Sequence, residues 1–69
     1  MKISARNILR ATVKEVTKGA TTSHVAIDIG GGVLVTSSIT NAAVDDLKLV
    51  AGKAAYAVIK ASDVMVAID

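Results

Sequence analysis

From residue 8 the chain alternates. Leu9, Ala11 and Val13 fall on one side, and Arg10, Thr12 and Lys14 on the other. That period of two is the signature of a half-buried strand, so "ILRATVKEVT" (8–17) predicts the first one. Val16 breaks the phase after Glu15, which predicts a bulge or strong bend of the kind that lets a small sheet curl. "KGATT" (18–22) reads as a turn. Alternation resumes in "SHVAIDIG" (23–30), with Val25, Ile27 and Ile29 on one face and His24, Ala26 and Asp28 on the other. "GGG" (30–32) predicts a tight hairpin, because glycine reaches positive φ without steric cost. "VLVTSSIT" (33–40), rich in β-branched residues, predicts a third strand.

The pattern then changes period. "TNAAVDDLKL" (40–49) offers Thr40 or Asn41 as an N-cap, places Asp45 and Asp46 before Lys48, and suits a short helix with Val44, Leu47 and Leu49 as its buried side. Gly52 fits a turn or C-cap. "KAAYAVIK" (53–60) predicts a fourth strand, "ASD" (61–63) a half-turn, and "VMVAID" (64–69) a short fifth strand. There is no βαβ alternation and no internal repeat. The expected architecture is all-β with one short helix, a five-stranded OB-like barrel, since the helix falls between the third and fourth strands as in that fold. A plain five-stranded sandwich is the alternative.

Composition turns this outline toward self-association. Sixty-nine residues make one domain, 1–69, and chains this short bury too little surface to be comfortable alone. There is no cysteine to form a disulfide, and the single His24 cannot build a histidine-rich metal site. Apolar residues make up 52% of the chain, yet Tyr56 is the only aromatic. More apolar positions exist than so small a core can hide, and subunit interfaces are where the excess belongs.

The formal net charge is +2, with Lys and Arg dispersed. A nucleic-acid surface calls for a basic stripe and stacking aromatics, and the sequence has neither. No apolar run approaches the roughly 18 residues of a membrane span, and "MKISARN" lacks the apolar centre of a signal peptide. The expectation is a cytoplasmic protein that partners neither nucleic acid nor membrane.

Few residues carry recognisable chemistry. "GGG" lacks the Lys-Ser/Thr of a phosphate-binding P-loop and joins strands rather than opening a helix. His24 has no Asp or Ser at a catalytic spacing, and Asp45 and Asp46 suit a helix terminus better than a cation site. An enzyme is not expected. The two ends of the chain differ from the rest. "SARN" (4–7) supplies a hydroxyl, a guanidinium and an amide, while "KASD" (60–63) supplies an ammonium and a second hydroxyl. Ala5 and Ala61 have small side chains that leave their N–H groups approachable. The set is rich in donors and poor in acceptors, which suits a small oxyanion; the plainer reading is two unrelated strand ends with ordinary surface polarity.

The stretches "SARN", "ITNAAVDDL", the "GK" before the fourth strand and "VIKASDVM" resemble the molbindins, small cytoplasmic molybdate-binding proteins, and the similarity runs over essentially the whole chain. The same module occurs in molybdate-responsive regulators and in ATPase subunits of molybdate importers. The resemblance implies an OB-type domain without catalytic activity or cofactor, binding molybdate, and tungstate by extension, for storage or homeostasis. It also implies a homo-hexamer, a trimer of dimers, with oxyanions held at subunit interfaces. It assigns Ser4, Ala5, Arg6, Lys60, Ala61 and Ser62 to the ligand. For a second class of site the candidates are Asn41 and Ala42 at the helix start and Ala20 and Thr22 in the preceding turn. The rival readings are a partner-binding regulatory module and an OB-type nucleic-acid binder.

Overall fold

The computed structural model describes residues 1–69. Four strands, β1 (Asn7–Lys18), β2 (Thr22–Asp28), β3 (Leu34–Thr40) and β4 (Ala54–Ile59), form one antiparallel sheet in the order β3-β2-β1-β4. A helix, α1 (Asn41–Leu47), lies between β3 and β4, and a single 3-10 turn (Ala61–Asp63) follows β4. The sheet curls as an OB-like open sheet.

The phase break in the first strand is real. The β1–β2 register slips between Val13 and Glu15, one step earlier than the sequence pattern placed it. The extra residue, Lys14, lets Val13 and Val16 both face the core, against Ile27 and Val25. On either side of this bulge the long strand serves two neighbours, β4 along its first half and β2 along its second. The main chain at Val13 also bonds the turn before β4, donating to Lys53 O and accepting from Gly52 N, both at 2.8 Å.

The turns follow their glycines. Gly30, Gly31 and Gly32 all have positive φ, and Asp28 Oδ1 accepts from Gly30 N at 2.7 Å to brace the β2–β3 hairpin. Gly19 closes the β1–β2 turn, and a Cβ there would lie 2.8 Å from the Thr22 carbonyl oxygen, so no larger residue fits without a shift.

The helix has the expected cap at its start and departs from expectation at its carboxylates and at Leu47. Thr40 is the N-cap, accepting from Ala43 N at 3.1 Å. Lys48, at φ 53, takes the left-handed C-cap, while Gly52 belongs to the following turn. Asp45 and Asp46 fall outside the first turn; Asp45 instead pairs with Lys18 on β1 at 2.7 Å. Val44 is the helix residue that enters the core, whereas Leu47 is exposed.

The expected closed barrel of five strands is not formed. "VMVAID" (64–69) is no strand in this chain; its one backbone bond runs from Val64 N to Ala61 O, and Met65, Val66 and Ile68 stand about nine-tenths exposed. A 3-10 turn interrupts the chain after β4, and residues 64–69 pair with no strand of their own chain. The Cα radius of gyration, 12.6 Å, exceeds the roughly 11 Å of a compact chain of this length, as a projecting tail requires. The buried core is correspondingly thin: Val13, Val25, Ile27, Val44 and Ala57, with Ser23 as its one polar member.

Candidate functional site

β1 and β4 run antiparallel, with Asn7 opposite Ile59, Ile8 opposite Val58 and Arg10 opposite Tyr56. The pairing stops at Asn7 and Ile59. Arg6 and Lys60 come next on the two strands; beyond them the ladder does not continue, because Ala61–Asp63 turns as a 3-10 segment. Two stretches separated by most of the chain thus leave the sheet side by side at one end. Asn7 ties them, its Nδ2 donating to Ile59 O at 3.2 Å.

The donors there are unspent. Ser4, Arg6, Lys60, Ala61 and Ser62 are exposed and Ala5 is half-buried. The main-chain N–H groups of Ala5, Arg6, Ala61 and Ser62 have no backbone acceptor. The Ser4 and Ser62 hydroxyls, the Arg6 guanidinium and the Lys60 ammonium make no hydrogen bond, and the molecule's one ion pair lies elsewhere, between Lys18 and Asp45. Two cations, two hydroxyls and a set of amide N–H groups therefore share one end of the sheet. Asp63 is the nearby carboxylate, in the first turn of the 3-10 segment. Such a set has the chemistry of an oxyanion cradle: charged donors for a dianion and neutral donors for its remaining oxygens. It is open to solvent in a single chain.

The other sequence candidates sit at the far side of the molecule and form a different kind of cluster. Asn41 Nδ2 donates to Gly19 O at 3.0 Å and to Ala20 O at 3.3 Å, its Oδ1 accepts from Ser23 Oγ, and its N–H donates to Thr21 O at 2.9 Å. These bonds occupy the Asn41 side chain, which acts as a brace between α1 and the β1–β2 turn. Ala20, Thr22 and Ala42 lie exposed around that brace. Pattern reading overlooked Ser23, which is fully buried. The signal was present: stepping back by two from Val25 and Ile27 puts Ser23 on the inner face.

His24 is exposed on the outer face of β2, opposite Thr17 on one neighbour and Ser38 on the other. No group of three or more His, Asp or Glu side chains gathers anywhere as a metal site would require. No helix is long and apolar enough to cross a membrane.

Comparison with known proteins places this geometry in context. Residues 3–66 match the model of the TOBE domain. A "Probable molybdenum-pterin-binding protein" of Haemophilus influenzae is 49% identical over the full length of both chains. The solved structure of a molybdate-binding protein from Sporomusa ovata superposes with a TM-score of 0.92, at 41% identity, covering 99% of this chain and all of the other. The cytoplasmic molybdate-binding protein ModG, solved with molybdate bound, superposes with a TM-score of 0.90 at 46% identity; the match covers 94% of this chain and 46% of that longer one.

Proposed function

The chain belongs to the molbindin-type family of TOBE-domain molybdate-binding proteins, and from that premise we propose that it is a cytoplasmic binding protein, not an enzyme, whose ligand is molybdate and, by the same chemistry, tungstate. The observation that supports the reading is the β1–β4 pairing, which ends at Asn7 and Ile59 and so brings the "SARN" and "KASD" segments, with their donors unspent, to one end of the sheet. Arg6 and Lys60 offset the two negative charges, while Ser4, Ser62 and the N–H groups of Ala5 and Ala61 bond the tetrahedral oxygens. No metal–protein bond forms, so the anion stays four-coordinate and exchangeable, as storage or buffering requires.

The relatives are named for two kinds of ligand, a molybdenum–pterin and molybdate itself. The cradle favours the bare anion. A pterin ring needs an aromatic or apolar platform, and the single aromatic, Tyr56, is paired with Arg10, three residue steps and about 10 Å inward along the strands from Asn7. Discrimination against sulfate rests on size rather than charge, because both are tetrahedral dianions and the larger one reaches donors spread over two strand ends.

The site belongs at a subunit boundary in a homo-hexamer, a trimer of dimers. Its donors face solvent in the single chain, and only 6 of 69 residues are buried, too few for a chain that is half apolar to stand alone. Light scattering is expected to give the mass of six chains. Calorimetric titration with molybdate, tungstate, sulfate and a free pterin tests the ligand. Heat and saturation with the first two and none with sulfate or pterin is the expected pattern. A protein that is silent to both molybdate and tungstate refutes the reading.

A further inference from the structure

Asn7 is out of character with its place in the sheet. It shares the phase of Ala11 and Val13, which pack on the core, and it is half-buried. Asparagine is a poor strand former, so neither packing nor propensity calls for it there. Its carboxamide makes one bond, Nδ2 donating to Ile59 O at 3.2 Å, between residues 52 apart in sequence. No other side-chain hydrogen bond joins β1 to β4, and this one falls on the last pair of their ladder. The acceptor matters as much as the donor. Ile59 O belongs to the peptide unit that carries the Lys60 N–H. A peptide unit is planar, so a bond to its oxygen fixes the plane from which Lys60 departs. Lys60 then opens the 3-10 turn at φ −63 and ψ 137, with no side chain capping it, and its carbonyl accepts from Asp63 N at 2.9 Å. The directions of the Ala61 and Ser62 N–H groups follow from that same plane.

We propose that Asn7 is a positioning residue for the oxyanion site. Without touching the anion, its carboxamide holds the Ile59–Lys60 peptide so that Lys60 and the N–H groups of Ala61 and Ser62 stay beside Arg6. This role presupposes the molybdate site described above. The clamp has something to resist. Arg6 and Lys60 are like charges immediately beyond the last β1–β4 pair, and neither is bonded to a carboxylate. The end of a strand ladder is also where pairing frays first. A frayed end must be ordered by the ligand as it binds, which lowers the apparent affinity; a clamped end is already arranged. An apolar side chain at position 7 would pack, but it could not hold a carbonyl oxygen.

Calorimetric titration with molybdate tests the role on Asn7→Leu, which keeps the size and removes the donor, and on Asn7→Gln, which keeps the donor on a longer arm. Asn7→Leu is expected to bind about two- to tenfold more weakly at unchanged stoichiometry, the loss of one neutral hydrogen bond. Asn7→Gln is expected to recover part of that loss. Because Asn7 acts through Lys60 and the turn, the Asn7→Leu/Lys60→Met double variant is expected to lose less than the product of the two single losses. Amide hydrogen exchange on the ligand-free protein gives a second readout. In Asn7→Leu the Asp63 and Val64 N–H groups, both bonded within the turn, are expected to exchange faster, while Val13 N–H, bonded to Lys53 O, keeps its rate. Should Asn7→Leu fail to assemble, Asn7→Ala carries the same expectations. Losses that multiply in the double variant, as for a residue bonding the anion directly, overturn the proposal. So does exchange that quickens equally at Val13, the mark of a residue that merely supports the fold. A wild-type protein that titrates alongside an equally tight Asn7→Leu removes the role of Asn7 alone. A wild-type protein silent to both molybdate and tungstate removes the ligand reading and this role with it.

Discussion

Arg6 and Lys60 carry like charges on neighbouring strand ends and have no carboxylate bonded to either. In the proposed site they repel without a ligand and become the two principal counter-charges of a bound dianion. Arg6 is the more exacting of the pair, because its planar fork can bond two oxygens at once whereas an ammonium presents a point charge. Arg6→Ala is therefore expected to weaken molybdate binding by about 1.5–3 kcal/mol, roughly ten- to a hundredfold. Arg6→Lys should recover only part of it. Titration calorimetry on both variants checks this, and affinities equal to wild type would remove Arg6 from the site. Residue-level reading of the sequence singled out these donors by their chemistry, and the resemblance to known motifs joined them into one proposed site. Nothing in periodicity relates residue 6 to residue 60; the relation exists only once β1 pairs with β4. The contribution of Asn7 as the tie to Ile59 O was likewise invisible until the strands were set side by side.

At the scale of elements, the brace at the start of α1 is where the thin core is most exposed to damage. Ser23 is fully buried with Asn41 Oδ1 as its partner, and the Asn41 amide also holds the carbonyls of the β1–β2 turn. Asn41→Ala would strand a buried hydroxyl and free that turn, a loss of about 1–3 kcal/mol. Ser23→Ala should cost less, because it leaves no buried donor unpaired, and the double variant should fall well short of the sum. Urea midpoints for the three variants test the coupling; strict additivity would mean that the two side chains do not act together. Calorimetry on Asn41→Ala separates this role from a ligand role, since a pure brace loses stability and keeps its binding stoichiometry. Elements were legible wherever one face was buried. The alternation of β1, β2 and β4, the bulge, the triple-glycine hairpin and the short helix all follow from period and turn chemistry. Two expectations failed for one reason. Leu47 and "VMVAID" have the right local pattern, but pattern registers apolarity without saying which surface receives it. Leu47 stands exposed, and the tail pairs with no strand of its own chain.

At the scale of the whole molecule, binding and stability are one equilibrium if Ser4–Arg6 and Lys60–Ser62 surround a single anion. An anion that binds only the folded, assembled protein raises stability by mass action, about 2.7 kcal/mol per site at a hundredfold excess over its dissociation constant. For a domain this small, each kcal/mol moves the melting temperature by roughly 4–8 °C. At that excess molybdate is thus expected to raise the melting temperature by roughly 10–20 °C, and sulfate at equal ionic strength by much less. Lys60→Met separates the cause from general salt effects, because it keeps much of the aliphatic stem and deletes the charge. Removing one of two facing cations relieves repulsion in the empty protein, so the ligand-free variant should melt at or slightly above the wild-type temperature. The same deletion removes a counter-charge from the occupied site, so its gain on adding molybdate should shrink. Opposite signs in the two states distinguish a shared anion site from a lysine that merely supports the fold, whose loss would lower both curves together. Differential scanning of the two proteins with and without molybdate reads all four numbers. A molybdate-induced shift that survives Lys60→Met intact would mean that the two ends of the chain do not close on one ligand.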